Sequence, residues 1–218
     1  MKTRTRKTKS KLTHISYRDY RAGSNPAGCA DPIASAVDEL VDACRMSRGC
    51  AAAAMMEEGL TAREDLPVHG VWHHMLTGES LILALKNAGH PITEELVEEI
   101  VDRGKQIPRG SCGFMGTCGA ITSAISTCAL LTGATPAATG ARARTLAFAA
   151  KLTARLAELS GSRCCKKSTY IALQLARDEF AALGFEFPAE TYEGRCRFSA
   201  RNETCDGLEC LFYQDSAQ

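Results

Sequence analysis

Ile33, Val37, Leu40, Val41 and Cys44 fall three or four positions apart, the spacing that gathers side chains on one helical face. The same rhythm returns along most of the chain. Residues 51–58 read as a short alanine-rich helix ended by Gly59, and residues 69–88 as a longer one stopped by Gly89-His90-Pro91. Thr93 is placed to cap a helix that carries Leu96, Val97, Ile100 and Val101 and runs to about Arg103, with Gly104 closing it. Further apolar stretches predict helices over 120–131, 137–159 and 164–183, separated by Thr132-Gly133 and by Ser160-Gly161-Ser162. The pattern therefore predicts an all-α helical bundle.

Two segments break the rhythm. Residues 104–119 hold five glycines in sixteen positions, which predicts a constrained loop whose backbone makes close approaches. Beyond Gly184 the chain reads as an irregular tail with three cysteines, too short for a domain of its own. The expected organisation is a basic, disordered tail over 1–30, a helical N-terminal extension over 31–66 and a cysteine-rich helical domain over 67–212.

At 218 residues and 45% hydrophobic content the chain can bury a core without covalent staples. Its formal charge of +1 gives no overall pull toward nucleic acid or membrane. The basic residues Lys2, Arg4, Arg6, Lys7, Lys9, Lys11 and Arg18 all precede the first acid, Asp19, and read foremost as a solvated leader. No stretch has the length and apolarity of a secretory signal or a membrane span, so the expected location is the cytoplasm. In a reducing compartment eleven cysteines point to metal binding or catalysis rather than to a disulfide framework.

Among these thiols, Cys112 and Cys118 flank the glycines of the loop, and Cys118 and the vicinal pair Cys164-Cys165 lie at expected helix starts. Helix N-termini favour thiolates and anionic metal–thiolate centres, so Cys112, Cys118, Cys164 and Cys165 form a plausible cofactor-binding set. Their spacing matches neither a zinc ribbon nor the bacterial ferredoxin run. A second constellation is His69-Gly70-Val71-Trp72-His73-His74, where a helix would set His69 and His73 one turn apart, able to share a metal. A third is the tail's Cys196, Cys205 and Cys210, for which ligation is the economical explanation. Cys44, Cys50 and Cys128 read instead as small buried hydrophobes. Strain makes a bond between Cys164 and Cys165 easily reduced, which suits redox chemistry, with His73 or His74 as acid and base and Cys165 as the reactive thiol.

His69-Gly70-x-x-His73-His74, Gly104-Lys105-Gln106-x-Pro108, Cys112-Gly113-Phe114-x-Gly116-x-Cys118-Gly119, Leu131-Thr132-Gly133-x-Thr135-Pro136, Arg163-Cys164-Cys165-Lys166 and Cys196-x-Phe198-Ser199 with Asn202, Cys205 and Cys210 occur in this order. Over about residues 67–212 they resemble the uncharacterised cysteine-rich domain-of-unknown-function family 5714, found in anaerobes alone or fused to radical-SAM or methyltransferase domains. Cys118-Gly119-Ala120 with the later cysteines is more loosely similar to a redox-active family named for its Cys-Gly-Cys-Ala pattern. The resemblance implies iron–sulfur or other metal-linked redox chemistry by association.

The leading expectation is thus a metal or iron–sulfur protein, with a 4Fe-4S cluster first and zinc second, acting in redox, electron or sulfur transfer. Its partner would be a radical-SAM or methyltransferase protein, and a homo-oligomer is compatible with the sequence. The alternatives are a thiol-based redox or sulfur-handling enzyme and an interaction module built on structural zinc.

Overall fold

The computed structural model describes residues 32–159, 161–188 and 195–214. Contacts divide the chain into Met1–Pro32 and Ile33–Gln218, and all that follows concerns the second unit. The basic leader expected over 1–30 lies outside the described residues, as does Cys29.

Among the described residues there are eight helices and no strand: α1 (Pro32–Met46), α2 (Ala52–Thr61), α3 (Trp72–Asn87), α4 (Glu94–Lys105), α5 (Ser111–Phe114), α6 (Gly119–Thr132), α7 (Thr139–Ala157) and α8 (Cys165–Ala181). The fold is all-α, as the apolar spacing requires. No helix among the described residues is long and apolar enough to cross a membrane.

Helix α3 is the hub, in contact with α2, α4, α6 and α8. It is buried from Trp72 through Leu85, polar residues included. A helix covered on every side needs no polar stripe, which is why its sequence is weakly amphipathic. Helix α4 shows the opposite design. It turns Val97, Ile100, Val101 and Gly104 inward and carries Glu94 and Glu95 in its first turn and Arg103 and Lys105 in its last, each matched to the helix dipole. Helix α6 packs on α3, α4, α7 and α8. The outer pair α7 and α8 is joined by Phe148 and Phe180, whose ring centres are 5.5 Å apart at 55°, a tilted pairing worth about 0.5–1.5 kcal/mol beyond the area it buries.

Four boundaries differ from the sequence reading. Helix α2 does not end at Gly59 but continues through it to Thr61. Helix α3 begins at Trp72, not His69, because the Trp72 indole folds back over Gly70 and occupies the space a side chain there would need. His69 and His73 therefore do not share a helical face. Gly104 does not stop α4: it lets that helix lie against the α3 backbone, where a Cβ would come 2.5 Å from the carbonyl oxygen of His74. The glycine loop contains one helical turn, α5.

The C-terminal segment is docked on the bundle. The Cys196 N–H donates to the Phe212 carbonyl at 2.6 Å, Phe198 and Phe212 are buried, and Phe212 packs on Tyr170 of α8 at 5.1 Å between ring centres. Lys167 Nζ meets Asp206 Oδ2 at 2.9 Å, and Asp206 also accepts the Ser162 N–H at 2.8 Å. Arg201 donates to the carbonyls of Glu64 and Leu66, tying the segment to the approach to α3. Two short 3-10 turns, Ser199–Arg201 and Gly207–Glu209, fold it compactly.

Candidate metal centre

The start of α8 is the junction of bundle and tail. Cys164 caps that helix in extended conformation (φ −135°, ψ 118°) and Cys165 is its first helical residue. The backbone thus turns sharply between the vicinal cysteines. Cys164 lines a small cavity of about 20 Å3 that is also lined by Cys196, Cys205 and Cys210. Cys165 is not part of that lining.

Hydrogen bonds reach three of the sulfurs. The Phe198 N–H donates to Cys196 Sγ at 3.4 Å, Asn202 Nδ2 to Cys164 Sγ at 3.9 Å, and Arg163 Nη1 to Cys165 Sγ at 3.5 Å. Such bonds favour the negatively charged form of sulfur. Burial works against them: it pushes the Cys165 thiol up to about 11, against Arg163 and reinforced by Cys118. It likewise pushes Cys196 up to about 11, with Cys164 adding to the rise. Without a cation these thiols hold their protons, and a bound metal ion would displace them.

Lys166 lies beside the cavity with 2% of its surface exposed. Its ammonium donates to the Val68 carbonyl at 2.8 Å, approaches His73 Nε2 at 2.9 Å and sits 4.5 Å from the centre of the Phe198 ring. Because a carbonyl only accepts, the 3.2 Å contact of His73 Nδ1 with the Gly70 oxygen puts the ring proton on Nδ1 and leaves Nε2 to accept from Lys166. No carboxylate pairs with Lys166 among the described residues; the nearby groups that would support its charge if ionised are Cys165, Cys164 and Cys196. Burial lowers its pKa to about 8, and it draws His73 well below the usual histidine value together with burial. A buried ammonium without a carboxylate is costly, and thiolates around the cavity would supply the missing charge.

The histidines have distinct surroundings. His69 accepts the Cys165 N–H on Nδ1 at 3.4 Å and donates from Nε2 to Asn202 Oδ1 at 3.1 Å, so it caps α8 and ties it to the tail. His73 is occupied on both nitrogens. His74 donates from Nδ1 to the Ile107 carbonyl at 3.1 Å, while its Nε2 has no hydrogen-bond partner among the described residues and rests against Gly119, where a Cβ would come 2.0 Å from it. Burial lowers the pKa of all three.

The structure thus draws Cys164, Cys196, Cys205 and Cys210 together. Cys118 stands at the N-cap position of α6. Cys112, on α5, lines no part of the four-thiol cavity. Cys44 and Cys128 are core residues, whereas Cys50 is half-buried and lines a separate cavity of about 320 Å3 with Tyr170 and Arg177. Lys166 and Asn202 were visible in the sequence only as neighbours of cysteines, since nothing local signals that a lysine is buried. Among the described residues, no three His, Cys, Asp or Glu side chains stand in the mutual arrangement of a formed metal site. The donors fit a thiophilic metal in kind and number.

Fold and site together define an all-helical, cysteine-rich protein whose C-terminal segment closes over the start of its last helix. The family model described as a family of unknown function, DUF5714, matches residues 40–213, and the chain belongs to that family. No curated protein and no solved structure matches it.

Proposed function

We propose that this protein binds a metal or iron–sulfur centre through Cys164, Cys196, Cys205 and Cys210 and works in redox, electron or sulfur transfer. The observation that carries the reading is that four cysteines from two distant parts of the chain line one cavity beside a buried lysine that has no carboxylate partner among the described residues. Four thiolates suit zinc or iron, and such a centre would supply either electron storage or a sulfur-binding Lewis acid. The residues present do the rest. Asn202 and the Phe198 amide orient two of the sulfurs, and Lys166 offsets their charge. The partner we propose for it is a radical-SAM or methyl-transfer protein.

Anaerobic purification with iron, sulfide and zinc analysis and an absorbance spectrum tests the reading. Serine at any of the four positions should abolish stoichiometric metal, while Cys50→Ser and Cys112→Ser should retain it. Full metal content in Cys196→Ser and Cys210→Ser would refute the assignment, and a colourless protein containing only zinc would exclude the cluster.

A further inference from the structure

We propose that the cavity bounded by the start of α2 and by α8 is a binding site for a small monocarboxylate with an apolar tail. Its volume is about 320 Å3, within the span of about 300–1,000 Å3 typical of small-molecule sites. Tyr170, Leu173, Gln174, Arg177 and Asp178 recur three or four positions apart, so α8 presents one face to it. That face changes character along its length. Leu81 of α3, Tyr170 and Leu173 are buried and make an apolar floor, whereas Gln174, Arg177 and Asp178 are exposed and make a polar rim. An apolar floor with a few polar groups at the edge suits a ligand that has an apolar body and one charged end.

The floor is held in place without a ligand. The Tyr170 hydroxyl donates to Glu57, and its ring packs on Phe212 at 5.1 Å between centres. Phe187, on another wall, stacks on Phe180 at 6.3 Å. Side chains already fixed lose little freedom on binding.

The rim selects the head group. The Arg177 side chain is 64% exposed, and its 3.6 Å contact with Asp178 is longer than a hydrogen bond, so the guanidinium keeps donors for a ligand carboxylate. Ala51, Ala52 and Ala53 also line the cavity, and no side chain caps the start of α2, which adds a second positive element to the wall. Asp178 opposes a second negative charge on the ligand, which favours a carboxylate over a phosphate dianion. None of Cys164, Cys196, Cys205 and Cys210 lines this cavity, so binding here does not depend on a metal.

Cys50 lines the same cavity and serves as the reporter. The full chain as purified is treated with limiting N-ethylmaleimide in the presence of straight-chain carboxylates from butanoate to decanoate. Peptide mass spectrometry follows alkylation of each cysteine, and isothermal calorimetry gives the affinities. The expected result is saturable slowing at Cys50 but not at Cys112, strongest at one chain length. Octanol should bind about 10- to 100-fold more weakly than octanoate, the span of a charge-assisted hydrogen bond. Arg177→Gln, at an exposed position, should fold normally and lose octanoate affinity by the same factor. No binding across the series, slowing at Cys50 and Cys112 alike, equal affinity for octanol and octanoate, or unchanged affinity in Arg177→Gln would each overturn the assignment.

Discussion

The ammonium of Lys166 lies 2.9 Å from Nε2 of His73, and the other nitrogen of that ring donates to the Gly70 carbonyl. A neutral histidine is therefore locked in one tautomer as acceptor for a buried cation. This arrangement places the charge beside the thiol cavity.

Lys166→Met should keep the bundle folded but weaken metal retention, by about 10- to 100-fold, the usual cost of losing a partner just outside the ligands. Competition with a chromogenic chelator measures it. Unchanged affinity would mean that Lys166 does not serve the thiol cavity.

His69→Ala should remove the cap on the Cys165 amide and lower stability by about 0.5–2 kcal/mol, with stoichiometric metal retained. Urea denaturation together with metal analysis distinguishes this from ligation. If His69 bound the metal, its loss would reduce metal content along with stability.

Gly104 and Gly119 face different obstacles. A Cβ at 104 meets the α3 backbone at His74 and Met75, whereas one at 119 meets the His74 ring. Overpacking of either costs about 1–3 kcal/mol, and Gly104→Ala should be the worse because two helix backbones must separate. Thermal melts of the two variants would rank them.

Glu79 gives a pH dependence. Its side chain is fully buried, with Oε1 3.0 Å from Arg45 Nε and no partner for Oε2 among the described residues. Burial raises its pKa from 4.5 to about 8 despite Arg45. Between those values the folded chain binds the extra proton, so the contribution of Glu79 is complete below pH 4.5 and lost as pH rises through 8. The lowered histidines act in the opposite sense, their contribution being present above pH 6.5 and lost as pH falls. Comparing wild type with Glu79→Gln cancels them. Denaturant titrations from pH 5 to 8 should show wild type losing stability relative to the variant as pH rises; parallel curves would contradict the burial argument.

The helices were legible because apolar spacing is a local property, and α4 and α6 lie within a residue or two of where Val97, Ile100, Ile121 and their neighbours put them. Gly104 misled because a glycine that ends a helix and one that lets two helices touch look alike in sequence. The grouping of thiols was less legible still. Glycines around Cys112 and Cys118 and the shared helix-start argument joined them to Cys164 and Cys165, whereas the structure gathers Cys164 with the tail. That grouping depends on Phe198 and Phe212 finding the bundle and on Lys167 meeting Asp206, contacts between residues far apart in the chain. The burial of Lys166 follows from the same docking.

Docking of residues 195–214 also gives the molecule a latch. Three thiols of the cavity belong to the latch and one to its keeper, α8, so any ion bound there would rivet the two together. Sub-global opening could then expose the cavity while α3 and α6 stay folded. Hydrogen exchange at the Cys196 amide, bonded to Phe212, would time that opening separately from the bundle. Whatever loads or empties the cavity has only to wait for the latch to lift.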